Sequence, residues 1–212
     1  MRVLSVNVGT PQLVEWRGQP VLTSIFKKPV AGRVPIRALN VDGDKQSDLT
    51  VHGGIHKAVY AYRAEHYADW QRELPDADLG WGAFGENLTI SGLPPEDEIF
   101  VGDRLRVGST LLTVTQPRLP CFKLSIRFGR ADMVKLFLKS GRSGFYLSVA
   151  EEGEVGAGDD VAVISRDPAG ISVAGISRLY TGLTDDPDAM RRAAELEALP
   201  ESWRVWFRER AA

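Results

Sequence analysis

Apolar and polar residues alternate along the first forty residues in a pattern typical of short β-strands. Val, Leu, Ile, Phe and Trp recur at close spacing, and Gly and Pro separate the runs. The pattern predicts strands over Arg2–Val8, Gln12–Trp16 and Val21–Lys28. A fourth is predicted over Gly32–Asn40, where Pro35 favours a sheet edge or a bulge because proline has no N–H to donate.

The middle of the chain mixes helical and strand periodicity. A helix is predicted over Arg63–Leu74, because Tyr67, Trp70 and Leu74 recur at helical spacing before a proline. The phrases VGDRLRVG and STLLTVTQ predict two paired strands that meet at Gly108-Ser109. The later phrase AGDDVAVIS has the same turn-into-strand pattern, which indicates a barrel-like sheet built of hairpins.

The pattern changes after Ser165, where Arg166–Gly170 reads as a linker and the remainder is helical. Asp186 with Pro187 is typical of a helix start. We therefore predict a mixed α/β fold, with a β-barrel-centred domain at 1–165 and a C-terminal three-helix domain at 166–212. The helices are predicted over Ser172–Tyr180, Pro187–Leu199 and Glu201–Arg210.

Composition narrows the functional classes. The 212 residues are 43% hydrophobic and 25% charged, which is ordinary for a globular protein, and the net charge of −2 does not favour nucleic-acid binding. No run approaches the length of a membrane span, and the first residues lack the apolar core of a signal peptide. A single cysteine closes no intrachain disulfide, so we expect a cytoplasmic protein with a reduced thiol.

Three stretches resemble known ligand-binding motifs, but their sequence context disfavours each of those functions. The GWGAFG loop matches a dinucleotide fingerprint, but a strand rather than a helix is predicted after it; its backbone N–H groups remain candidates for contact with an anion. The DGDKQSD phrase lacks the glycine and glutamate of a calcium loop and is interpreted as a solvated loop. His52 and His56 have zinc spacing, but Gly53-Gly54 disfavours a helix, and the alternative is that this turn brings one histidine and Lys57 to a pocket rim.

The only cysteine, Cys121, lies in the phrase QPRLPCFKL. A lone cysteine is most often a small buried hydrophobe. Pro117 and Pro120 nevertheless favour a rigid exit from a strand, and Arg118 and Lys123 bring positive charge that favours the thiolate over the thiol. A thiolate binds soft metals, so the phrase predicts a functional cysteine and leaves its chemistry open; nothing in the histidine spacing supports a Cys–His hydrolase.

Four separated phrases together resemble one known family. VHGGIHKAVYAYRAEHYADW, GAFGENLTISGL, VGDRLRVGSTLLTVTQPRLPCFKL and the helical tail are similar to MOSC domain proteins of the stand-alone, YiiM-like branch. The resemblance covers essentially the whole chain in the expected order. It implies a barrel-centred α/β fold and a molybdenum–pyranopterin cofactor whose metal is bound by Cys121; pyridoxal phosphate is not expected.

The resemblance also implies a set of site residues. Cys121 is expected as the metal ligand and catalytic residue, and Glu86 as a second catalytic residue that supplies or orients a proton. A cofactor phosphate needs cationic side chains and backbone N–H groups, and Asn87 is a candidate hydrogen-bond partner for the pterin edge. The expected cofactor-binding residues are Lys57, Arg118, Lys123, Phe84, Gly85, Asn87 and His52.

The function implied by the resemblance is reduction of N-hydroxylated compounds: hydroxylaminopurines, hydroxylamines and amidoximes. The resemblance also implies that electrons come from a separate flavin- or haem-containing reductase. The sequence encodes no iron–sulfur cysteine cluster and no haem-attachment motif, which favours an external electron donor. The alternative is a cofactor or sulfur carrier without turnover. A third hypothesis is an interaction module that uses the tail ESWRVWFRER, although an amphipathic helix packed on its own domain is favoured. No membrane partner is expected, nucleic acid is disfavoured, and a homodimer is a candidate assembly.

Overall fold

The computed structural model describes residues 1–47 and 53–211, in which strands predominate up to Ser165 and helices follow. The strands are β1 (Arg2–Val8), β2 (Gln12–Trp16), β3 (Gln19–Thr23), β4 (Lys28–Pro29), β5 (Arg33–Arg37), β6 (Asn40–Val41), β7 (Val59–Arg63), β8 (Leu88–Ser91), β9 (Arg104–Val107), β10 (Thr110–Pro117), β11 (Phe145–Glu151), β12 (Gly153–Gly156) and β13 (Val161–Ser165). The α-helices are α1 (His66–Glu73), α2 (Phe122–Phe128), α3 (Met133–Ser140), α4 (Val173–Tyr180), α5 (Pro187–Ala194) and α6 (Glu201–Arg210), and a short 3-10 helix covers Ile55–Lys57. The predicted mixed α/β class and helical C-terminal region are confirmed.

One eight-stranded sheet dominates the fold, in the order β13-β9-β10-β11-β7-β8-β1-β4. The neighbours within it pair antiparallel except β7 and β8, which run parallel with Ala61 opposite Leu88. A parallel pair needs a long crossover, and α1 with the loop after it supplies this connection. The smaller sheets are β12-β5-β6 and the hairpin β2-β3.

A closed barrel is not confirmed, because no continuous ladder joins β4 to β13 within the described residues. β4 has only two residues, and one of them is Pro29, which has no N–H for a further ladder bond. The start of β1 still approaches the start of β13. The Val3 N–H donates to the Asp159 carbonyl at 2.9 Å, and the Val161 N–H donates to the Met1 carbonyl at 3.0 Å.

The predicted hairpin at Gly108-Ser109 is confirmed, since β9 and β10 pair with Thr110 opposite Val107. The two similar phrases also lie side by side, because β13 pairs with β9. The predicted strand over Val21–Lys28 is wrong. The chain leaves β3 after Thr23 and resumes pairing at Lys28, and the segment between forms one wall of the cleft described below.

Three apolar clusters hold the fold together. The largest lies against the main sheet and includes Val3, Leu88 and Leu112. An aromatic cluster packs α1, α2 and α3 against the other side of β7. The third belongs to the tail and buries Phe207 completely.

The tail cluster also takes in Val101, which precedes β9. The helical tail therefore packs on the sheet region as well as on itself. The division of the chain at residue 165 stays a prediction. No helix in the described parts of the chain is both long and apolar enough to span a bilayer.

Candidate functional site

Cys121 lies at the junction between strand β10 and helix α2. The strand ends at Pro117, and Cys121 is the N-cap residue of α2 with an extended backbone (φ −121°, ψ 172°). Its carbonyl accepts the Leu124 N–H at 2.9 Å, which begins the helix. The predicted strand exit is thus confirmed, but the helix that follows directly was not predicted. The side chain of Cys121 is half-buried.

Cys121 lines a cleft that is continuous with solvent. We call this the Cys121 cleft. Six stretches of the described chain form it: the segment between β3 and β4, the loop after β6, the 3-10 helix with β7, the loop before β8, the β10–α2 junction, and β11. It is lined by Thr23, Ser24, Ile25, Lys27, Asp44, Lys45, Gln46, Ser47, Gly53, Lys57, Tyr60, Gly85, Asn87, Arg118, Leu119, Cys121, Lys123 and Tyr146.

The charge of the cleft is strongly one-sided. Among the described residues that line it, five carry positive charge and one carries negative charge. The cations are Lys27, Lys45, Lys57, Arg118 and Lys123, and the carboxylate is Asp44. In a chain whose net charge is −2, this local excess of cations favours an anionic ligand.

Arg118 is the most deeply placed of these cations, with 5% of its surface exposed. Its guanidinium carbon lies 5.3 Å from the centre of the Tyr60 ring and 5.1 Å from that of Phe137. Its Nη1 is buried and has no hydrogen-bond partner among the described residues, and the same holds for Oγ of Ser24 in the opposite wall. Buried polar groups are nearly always hydrogen-bonded, so these two atoms indicate a missing polar ligand.

Lys57 and Lys123 both line the cleft, as predicted. The Nζ of Lys123 donates to Oγ of Ser47 at 3.4 Å, and its side chain is buried. Lys57 lies with Nζ 6.0 Å from the centre of the Tyr146 ring, and burial lowers its pKa below the ordinary lysine value. All three cations that the sequence predicted as cofactor-binding residues therefore line the cleft, and their binding role stays a prediction.

Sequence reasoning missed the ion pair between Lys27 and Asp44. The two charged atoms are 2.6 Å apart, and Asp44 is almost fully buried, although its loop was interpreted as solvated. Asp44 also accepts the Gly9 N–H at 2.8 Å and the Asn87 Nδ2–H at 2.9 Å. No spacing rule links residues from four separate segments, so only the tertiary fold brings this pair together.

The predicted FGEN residues divide between the cleft and the core. Gly85 and Asn87 line the cleft, whereas Phe84 and Glu86 are fully buried outside its lining. Asn87 already uses its amide within the chain, since Oδ1 accepts the Tyr60 N–H at 3.0 Å and Nδ2 donates to Asp44. Phe84 instead joins the aromatic cluster, stacked 4.9 Å from the ring of Tyr62.

Glu86 accepts four hydrogen bonds from the protein. The donors are the Tyr67 hydroxyl, the Thr89 hydroxyl at 2.7 Å, the Gly82 N–H at 2.9 Å and the Phe84 N–H at 3.2 Å. Burial raises the pKa of Glu86, and the bonds from Tyr67, Thr89 and Gly82 act against that shift. The glycine-rich loop therefore directs its N–H groups at an internal carboxylate. The catalytic role of Glu86 stays a prediction, and these contacts favour a role in positioning the glycine-rich loop.

Of the two closely spaced histidines, the structure describes only His56. His52 lies outside the described residues. Burial lowers the pKa of His56, which hydrogen-bonds the backbone of Ala198 in the tail and does not line the cleft. The alternative placed one histidine and Lys57 at a pocket rim; Lys57 does line the cleft, whereas the histidine part of that prediction is not met by His56. No cluster suited to a metal is formed by His, Cys, Asp and Glu among the described residues.

The arrangement combines one thiol, several cations and two unpartnered polar atoms in an open cleft. A thiolate supplies a soft metal with a single ligand, and the cations suit a phosphate group. Arg118 and Ser24 each have a polar atom that no described residue uses as a hydrogen-bond partner. The Cys121 cleft therefore fits a phosphate-bearing group that carries its own metal.

Comparison with known proteins agrees with this geometry. The MOSC domain model matches residues 48–162, which include Cys121, and the YiiM-like 3-alpha helix domain model matches residues 171–211. The uncharacterized protein YflK of Bacillus subtilis is 41% identical over 205 residues, covering 97% of this chain and 92% of YflK. A protein of Gibberella moniliformis named reductase is 34% identical over 152 residues, covering 70% of this chain and 27% of that protein. The crystal structure of YiiM from Geobacillus stearothermophilus has a TM-score of 0.82 at 34% identity, covering 100% of this chain and 99% of that one.

Proposed function

The chain belongs to the MOSC domain family, and from this premise we propose that it is a molybdenum-cofactor-dependent reductase of N-hydroxylated compounds. Its substrates are hydroxylaminopurines, hydroxylamines and amidoximes. Its electrons come from a separate reductase of the flavin class. A relative named as a reductase supports oxidoreductase chemistry in general, and the substrate class and donor are our proposal.

One observation carries the proposal: Cys121 and the unpartnered Nη1 of Arg118 belong to the same cleft. The first offers the single protein thiolate that a dithiolene-bound molybdenum needs. The second offers a charge-assisted hydrogen bond to an anion. The donor set therefore fits a pterin cofactor that brings most of its metal ligands and one phosphate.

The residues of the chain have distinct parts in this proposal. Cys121 Sγ would bind the metal, while Arg118, Lys57 and Lys123 would hold the phosphate. When bound, the cofactor would supply two-electron redox chemistry. The rings of Tyr60 and Tyr146, 5.2 Å apart, form an apolar wall that orients a flat substrate.

The reaction consumes two electrons and two protons, converting R–NH–OH into R–NH2 and water. The N–O bond breaks and its oxygen leaves as water. A chain with one cysteine binds no iron–sulfur cluster of its own, which agrees with an external electron donor. The open side of the cleft gives substrate and protons a route to the site.

An anaerobic assay with reduced viologen tests the proposal on protein made in a host that synthesises the cofactor. Benzamidoxime is the substrate, and substrate-dependent oxidation of the viologen is the expected result. A carrier without turnover would contain molybdenum but oxidise no viologen when substrate is added. That outcome would overturn the reductase proposal in favour of the carrier alternative.

A further inference from the structure

Lys27 presents an ammonium group to the cleft in a fixed geometry. Its Nζ lies 2.6 Å from Oδ2 of Asp44, with 11% of the lysine side chain and 2% of the aspartate side chain exposed. Both residues line the Cys121 cleft. An ammonium group has three N–H donors, so the bond to Asp44 leaves others to face a ligand.

Asp44 is itself held in place from two further directions. The Gly9 N–H donates to its Oδ1, and the Asn87 Nδ2–H donates to its Oδ2. These bonds tie together the end of β1, the loop after β6 and the start of β8. The carboxylate is therefore rigid, and the lysine that it holds is rigid too.

A buried ion pair is weak evidence for stability, because removing both charges from water costs about as much as their attraction returns. A function in the cleft explains the Lys27–Asp44 ion pair more readily than a contribution to stability does. Two of the other cations suit proton transfer less well. Arg118 does not lose its proton, and Lys45 is exposed at the rim.

We propose that Lys27 is the proton donor to the departing oxygen of the N-hydroxylated substrate, and that Asp44 is its positioning residue. This inference rests on the proposed function. As the N–O bond breaks, one proton passes from Nζ of Lys27 to the oxygen, which leaves as water. The two electrons come from the separate reductase, and the second proton comes from solvent to the nitrogen. Neutral Lys27 then regains its proton from water in the open cleft.

The surroundings of Lys27 are compatible with this role. Burial lowers the pKa of Lys27, Asp44 and Glu86 act in the opposite direction, and Arg118 adds to the lowering. Lys57 and Lys123 face the same cleft and also disfavour a further positive charge. An ammonium group transfers its proton more readily when its pKa is nearer to the working pH.

The test uses the cofactor-containing protein, reduced viologen and benzamidoxime. We expect Lys27→Ala to lower kcat by about 100-fold, the usual scale of a lost general acid, at unchanged molybdenum content. Methylammonium should restore part of that activity, and Lys27→Arg should stay as slow as Lys27→Ala, because arginine keeps the charge but does not give up a proton. Lys28→Ala is the matched control, since Lys28 is exposed on β4 and does not line the cleft.

A second readout is independent of turnover. NMR of ¹⁵N-labelled lysine side chains in the full-length protein gives the titration midpoint of Lys27, assigned by its loss in Lys27→Arg. Asp44→Asn removes the carboxylate that holds the proton. In Asp44→Asn we therefore expect the titration midpoint of Lys27 to move to lower pH. The fall of kcat at alkaline pH should move to lower pH with it.

The outcomes separate the two claims. A wild type without activity overturns the proposed function and this inference with it. An active wild type whose Lys27→Arg variant retains full kcat, or whose Lys27→Ala variant gains nothing from methylammonium, overturns the proton donor alone. An Asp44→Asn midpoint equal to that of the wild type overturns the positioning role of Asp44.

Discussion

The guanidinium carbon of Arg118 lies 5.3 Å from the centre of the Tyr60 ring. Arg118 precedes Cys121 by three residues in the chain. This contact with the Tyr60 ring keeps the cation inside the cleft wall. Its Nη1 is left without a partner among the described residues. The cleft therefore combines the buried cation of Arg118 with the thiol of Cys121. This combination suits a ligand that has both a negative charge and a metal.

Arg118→Met should weaken anion binding. The variant loses a charge-assisted hydrogen bond worth about 1.5–3 kcal/mol, which corresponds to a loss of affinity of about tenfold or more. Calorimetric titration of cofactor-free protein with inorganic phosphate measures this. Arg130→Met is the control, because Arg130 pairs with Asp132 on the surface outside the cleft. Equal phosphate affinity in the wild type and Arg118→Met would contradict the assignment.

Glu86→Gln should lower the free energy of unfolding. The carboxylate accepts four donors, and an amide nitrogen placed at Oε2 would oppose the Phe84 N–H, at a cost of about 1–3 kcal/mol. Urea denaturation at neutral pH measures the loss, with the exposed Glu151→Gln as control. A Glu86→Gln protein of unchanged stability whose reduction rate falls by about 100-fold would instead support the catalytic role.

Glu96 should contribute to acid sensitivity. Burial alone would raise the pKa of Glu96, but His66, with Nε2 3.0 Å from both carboxylate oxygens, and the Gly144 N–H hold it below its ordinary value. A carboxyl with a lowered pKa stabilises the fold above its unfolded pKa of about 4.3, and this stability is lost as pH falls through the folded value.

We therefore expect Glu96→Gln to be less stable than the wild type at pH near 7 and to show a shallower loss below about pH 4.3. Urea denaturation across that range measures both features. If the free energies of unfolding of the two proteins fell in parallel as the pH was lowered, the pKa of Glu96 would not differ between the folded and unfolded states.

Phe207→Ala should destabilise the tail strongly. Phe207 is fully buried in the tail cluster, so truncation to alanine costs about 3–5 kcal/mol. Val205→Ala on the same helix is the control, because 37% of Val205 is exposed and its loss should cost less than about 1 kcal/mol. Equal unfolding midpoints for the two variants would contradict the packing of α6 on the rest of the tail.

Local patterns were sufficient for much of the fold. The bounds of Arg2–Val8, Gln12–Trp16 and Glu201–Arg210 match their predictions, because the two strands end at a glycine or a polar turn and the helix begins directly after a proline. Helix α2 was missed, since seven residues after two prolines give too little helical pattern to detect. The parallel pairing of β7 with β8 depends on contacts distant in sequence.

Local sequence indicated the part of the site that sequence neighbours share, and the family resemblance added Lys57, Gly85 and Asn87, which also line the cleft. Arg118, Cys121 and Lys123 come from one phrase and lie in one cleft. Lys27 and Asp44 were not found, because neither has a motif and their partnership depends on the tertiary fold. The resemblance placed Glu86 near the site, but its side chain turns into the glycine-rich loop, which the sequence alone does not reveal.

X-ray absorption at the molybdenum edge of freshly purified wild type and Cys121→Ser tests the central claim most directly. We predict about one molybdenum atom per chain in the wild type, with a protein thiolate among its sulfur ligands. The serine variant should lose that sulfur contribution together with viologen-dependent reduction of benzamidoxime. A serine variant with the same sulfur coordination and the same rate as the wild type, or a wild type that contains no molybdenum, would contradict the account.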